Sequence, residues 1–77
     1  MIFLLQYDRA AGKLVKIVPF LDSQRGESSS ARLSLELELN HTKIGHEVVL
    51  LEAASEEALR KTHRRYFENL DTLARTA

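Results

Sequence analysis

The chain has no cysteine, no excess of either charge and no long apolar run at its N-terminus, and each absence removes a class of protein. Without cysteine, disulfides and thiolate metal sites are both excluded, which suits a reducing compartment. Eleven Lys and Arg balance eleven Asp and Glu, so the formal net charge is zero. Nucleic-acid modules usually carry a basic excess, and the balance counts against that class. The apolar run from Met1 to Leu5 is too short for a signal segment or a membrane span and lacks a basic leader. The expectation is a soluble, cytoplasmic protein with no membrane contact. Glycine is scarce: Gly12, Gly26 and Gly45 form no phosphate-cradling loop, and no Gly-x-Ser-x-Gly elbow presents a serine.

What is present is ordinary globular composition, 44% hydrophobic and 29% charged. Seventy-seven residues make one domain, 1–77, at a size where a single core is thin and is often helped by a partner. Two apolar segments, 2–7 and 13–20, flank the turn Asp8-Arg9-Ala10-Ala11-Gly12. Asp8 opens such a turn well, and Gly12 can take the positive φ of a bulged hairpin loop. With the bulge, Phe3, Leu5 and Tyr7 share a face with Val15 and Ile17. Pro19 cannot donate to a ladder, so it belongs at a strand's end or on an edge.

Residues 31–40, ARLSLELELN, carry two conflicting signals. Leu33, Leu35, Leu37 and Leu39 alternate with polar residues, the period of a half-buried strand. Yet Ala, Arg, Leu and Glu are good helix formers, and no β-branched or aromatic residue appears between 31 and 39. Wound as a helix over 23–42, the segment puts Ala31, Leu35 and Leu39 on one stripe and Leu33 and Leu37 on nearly the opposite side. The apolar run Val48-Val49-Leu50-Leu51 then reads as a strand buried on both faces, parallel in direction to the second. Gly45 suits the end of the preceding helix. This gives an α+β fold, ββαβα, around a three-stranded sheet. The alternative is a four-stranded sheet with one C-terminal helix, ββββα, which would leave Ile2, Leu4, Val49 and Leu51 on an uncovered face.

The C-terminal segment predicts a helix over 55–74. Ser55 can cap it, and Glu56 and Glu57 suit the positive end of its dipole. Leu59, His63, Tyr66, Leu70 and Leu73 fall on one stripe, with Phe67 and Ala74 at its edge. The stretch HEVVLLEAASEEALRKTHRRYF, 46–67, together with the hairpin, resembles a group of small uncharacterised bacterial proteins. That resemblance implies a helical middle segment and brings no activity with it.

Within KTHRRYFENL, 61–70, cations and aromatics separate on a helical wheel: His63, Tyr66 and Phe67 on the apolar arc, Lys61, Arg64 and Arg65 away from it. Glu57 can pair with Lys61, and Glu68 with Arg64 and Arg65, each exposed pair contributing roughly 0.2–0.5 kcal/mol. A solvated surface is the favoured reading, with Arg60, Lys61, Arg64 and His63 kept as candidate contacts for an anion or nucleic acid. His63 sits where leucine would pack better, as a bonded core imidazole or, more sharply, a general base. His41, His46 and His63 lack the spacing of a metal site. No catalytic residue, metal or cofactor is assigned, and an enzyme acting alone is disfavoured in so small a chain. Either fold leaves apolar surface uncovered, above all Leu33 and Leu37 if their segment is helical. The expectation is a non-enzymatic interaction module that works as a homodimer through those leucines or binds another protein, with nucleic-acid or anion binding as the alternative.

Overall fold

A computed structural model describes residues 1–67. The elements run β1 (Ile2–Asp8), β2 (Lys13–Phe20), α1 (Arg25–Thr42), β3 (Glu47–Glu52) and α2 (Glu56–Thr62), with 3₁₀ turns at Asp22–Gln24 and Arg64–Tyr66. The fold is ββαβα around a three-stranded sheet of order β2-β1-β3, antiparallel at both pairings. Since both neighbours oppose β1, β3 runs in the same direction as β2 but lies on its far side.

The hairpin forms as the turn chemistry dictates. The Asp8 carboxylate accepts from the Ala11 N–H at 3.0 Å, Gly12 N–H reaches the Asp8 carbonyl at 2.8 Å, and Gly12 takes φ 68°. The bulge lies further along than the loop. Gln6 pairs with Lys16 and Tyr7 with Leu14, so Val15 is the extra residue. The expected face is corrected accordingly: Leu14 and Ile17 join Phe3, Leu5 and Tyr7, while Val15 turns outward. A bulge shifts the side-chain alternation by one, and period two alone does not locate it. Pro19 lies on β2, an edge strand, where its missing N–H costs no ladder bond.

The strand buried on both faces is β1, where Ile2 to Leu5 and Tyr7 are all buried. The expectation that Val48–Leu51 would be so enclosed is overturned. β3 is an edge strand and its four aliphatics are only half-buried. Side-chain alternation on β1 divides the core. Phe3, Leu5 and Tyr7 pack with Leu59 and Tyr66, while α1 lies against the other face of β1 and β3.

Helix α1 ends at a left-handed residue, but not at Gly45. Lys43 takes φ 59°, and the Lys43 and Ile44 N–H groups bond the Asn40 and Leu39 carbonyls, a Schellman arrangement. The expected long C-terminal helix is also corrected. Ser55 caps α2 by accepting from the Ala58 N–H at 3.1 Å, yet the helix stops at Thr62, and His63 leaves helical geometry at φ −125°, ψ 52°. The Thr62 hydroxyl turns back to the Ala58 and Leu59 carbonyls, and the chain re-forms as a 3₁₀ turn that swings Tyr66 onto the sheet. Leu70, Leu73 and Ala74 of the expected stripe, and Glu68 of the expected ion pairs, lie outside the described residues. No helix among the described residues is long and apolar enough to cross a membrane.

Two left-handed positions make a matched test. A lysine in this region is strained by about 1–2 kcal/mol relative to glycine. Lys43→Gly should therefore raise unfolding free energy by about 1 kcal/mol, and Gly12→Ala should lower it by a similar amount. Urea titrations at fixed protein concentration check both signs.

Candidate functional site

The outer face of α1 is where the fold leaves apolar side chains in water. Ala31 and Leu35 are half-buried and Leu39 is buried, so this stripe faces the sheet. Leu33 and Leu37 point the other way and are 55% and 60% exposed. Towards the N-terminus the same side carries Gly26, Ser29 and Ser30, whereas the exposed Ile44 just past the helix borders a hollow with Leu39 and Val48. Arg32 and Glu36 lie one turn apart beside the leucines, their charged groups 3.9 Å from one another. Alternating leucines thus fold as a helix because helix-forming residues surround them, and only one of the two stripes finds cover.

The basic residues near the C-terminus are differently placed. Arg60 pairs with Glu56 at 3.5 Å and lies 4.5 Å over the Phe67 ring, and Lys61 pairs with Glu57 at 3.4 Å. Arg60 therefore has the acidic neighbour that the sequence reading did not assign to it. Arg64 belongs to the 3₁₀ turn rather than to α2, so the three cations do not share one helical face. His63 is half-buried at the end of α2, its Nδ1 2.9 Å from the Thr62 hydroxyl. It is an interrupted position, not the middle of a stripe.

The other histidines are engaged elsewhere. His41 is exposed in the last turn of α1. His46 Nδ1 lies 2.7 Å from Gln6 Nε2, and its Nε2 lies 3.6 Å from the Asp8 carboxylate. These partners select the tautomer protonated on Nε2: the amide donates to Nδ1 and Nε2–H faces Asp8. Both ring nitrogens are thereby committed to joining the loop before β3 to β1. The Ala11 N–H, assisted by His46, holds the Asp8 carboxyl below its usual value despite opposing desolvation. Among the described residues no three His, Cys, Asp or Glu side chains come together as a metal site.

A cluster that sequence reasoning missed centres on Glu47. Its carboxylate accepts from the Tyr66 hydroxyl at 2.6 Å and from Arg65 at 2.9 Å, and Arg9 approaches its other oxygen at 3.5 Å. The Arg65 guanidinium stacks 4.2 Å from the Tyr66 ring centre, and Tyr66 meets Tyr7 edge-on at 5.3 Å. Burial first, and then the bond to Glu47, push the Tyr66 phenol above its ordinary pKa. This cluster clamps the 3₁₀ turn to the sheet. Nothing in the spacing of Arg9, Glu47 and Arg65 announces it, because the three come from the hairpin loop, β3 and the 3₁₀ turn after α2, which only folding brings together.

Comparisons with protein-family models, with curated proteins and with solved structures find no match for this chain.

Tyr66→Phe should cost about 1–2 kcal/mol, as expected for a buried bond to a charged acceptor. The phenol's raised pKa means that the folded state holds its proton more tightly. Its stabilisation is complete below the unfolded pKa near 10 and is lost as pH rises through the folded value. Denaturation curves collected below and above pH 10 should therefore converge for wild type and Tyr66→Phe as the pH rises.

Proposed function

We propose that this chain is a non-enzymatic interaction module that works as a homodimer, with the outer face of α1 as its contact surface. The observation that carries the reading is the exposure of Leu33 and Leu37, two large aliphatic side chains one turn apart on a regular helix. A single exposed leucine is ordinary, but an aligned pair one turn apart forms an apolar ridge. A second copy suits it, because a chain of zero net charge meets its twin without long-range repulsion. Arg32 and Glu36 beside the leucines also offer a two-fold partner charges of both signs.

A magnitude narrows how the contact must be built. Covering the exposed half of a leucine is worth about 1–1.5 kcal/mol, so four leucines across a two-fold contribute about 4–6 kcal/mol. Association itself costs about 4–15 kcal/mol. Leucines touching only each other would hardly break even, so further apolar surface has to be buried with them. The basic-face reading has thinner support: Arg60 and Lys61 each have a carboxylate on their own helix.

Sedimentation equilibrium tests the proposal directly. The wild-type chain should run as a dimer at micromolar concentration, and Leu33→Glu or Leu37→Glu should shift it to monomer with an unchanged circular dichroism spectrum. A wild-type monomer at those concentrations rejects the reading.

A further inference from the structure

Helix α1 rests on β1 and β3. Strands lie about 4.8 Å apart, and one helix with its side chains is about 10 Å across. Among the described residues, a single helix set towards β3 therefore leaves the flank above β2 without cover. The structure has a groove there of about 320 Å³, between α1 and β2. Leu4, Val18, Phe20 and Leu35 line it, with the exposed Lys16 and Glu38 also contributing. It is far larger than a single water needs and is mostly apolar, so it is suited to side chains.

We infer that this groove receives Leu33 and Leu37 of a second copy. The inference rests on the dimer reading above and adds the receptor surface that the leucines require. Ridge and groove lie on the same side of the sheet: Ser34 and Glu38 line the groove, and Leu37 comes next around α1 towards solvent. A two-fold axis running parallel to α1 that stacks one sheet over the other lays the two α1 helices side by side and parallel in a single layer. Each ridge then enters the other copy's groove, and the contact is made twice, as an isologous interface requires. Both faces that the described residues of one chain leave exposed are covered in one step. The bordering charges balance, Lys16 with Glu38 at the groove and Arg32 with Glu36 beside the ridge, so neither copy brings net charge to the contact.

The absence of native cysteine makes the geometry directly testable. Val18→Cys and Leu37→Cys chains, prepared separately, are mixed and oxidised. The expected product is a covalent dimer joined between positions 18 and 37, formed several-fold faster than in either variant alone. A second experiment uses charge. Val18→Lys and Leu37→Glu should each weaken the homodimer by about 100-fold or more, because each buries an unpaired charge. Mixing the two folded variants should restore association as a heterodimer. One of its two contacts then sets the introduced lysine against the introduced glutamate, and the other keeps the native residues.

The outcomes separate the two readings. A dimer that Leu37→Glu disrupts, but that shows no link between 18 and 37 and is indifferent to Val18→Lys, overturns the groove assignment and leaves the dimer standing. A chain that is monomeric throughout overturns both, and leaves the groove to a foreign helix or apolar ligand.

Discussion

Burial of β1 on both faces and both edges is the constraint from which the rest of the domain follows. Hydrogen-bonded to β2 and β3, the strand sends Phe3, Leu5 and Tyr7 to one side and Ile2, Leu4 and Gln6 to the other. A chain this short thereby divides its apolar content into two thin half-cores, each with one helix to close it. Neither half is large. The side under α2 is completed by Leu59, Tyr66 and half-buried Phe67, and the side under α1 is closed over β1 and β3 but open over β2. Exposed leucines and an unfilled groove are two results of one shortage: a three-stranded sheet needs more than one helix per face.

Charge plays a local role that the net balance conceals. Arg60 and Lys61 are matched one turn away by Glu56 and Glu57, and Arg65 and Arg9 converge on Glu47. The latter group is only partly exposed on the carboxylate side, and it fastens the segment after α2 to the sheet where a longer helix would have run past it. Of the cations near the C-terminus, Arg60 and Lys61 thus pair within α2, and Arg65 ties the 3₁₀ turn to the sheet. Among the described residues, Leu33 and Leu37 are the exposed large aliphatics that sit together on one helix face.

What could be read from the chain was local. Asp8 and Gly12 mark the hairpin turn, Ser55 marks the start of α2, and the spacing of Glu57 and Lys61 marks their pair. The opposed stripes of α1 follow from 3.6 residues per turn, so the exposure of Leu33 and Leu37 was legible once the segment was taken as helical. What escaped depended on distant residues or on fine backbone choice. Val15 was misplaced because a bulge reverses alternation downstream of it. Gly45 was the obvious helix terminator, but Lys43 took the left-handed position two residues earlier. The break at His63 was invisible because helical periodicity continues through it, and what draws the chain away is Glu47, an acid on another element.

By itself the sequence determined the hairpin and the turn that joins its strands, the start of α2, and, once residues 31–40 are taken as helical, a leucine stripe too many for a lone helix to hide. These rest on propensity and periodicity, which act over a few residues. Only the tertiary structure decided which strand lies in the middle, which arginines meet Glu47, and where along the sheet α1 comes to rest. Those outcomes depend on competition between surfaces brought together by folding, and no local spacing encodes which of them meet.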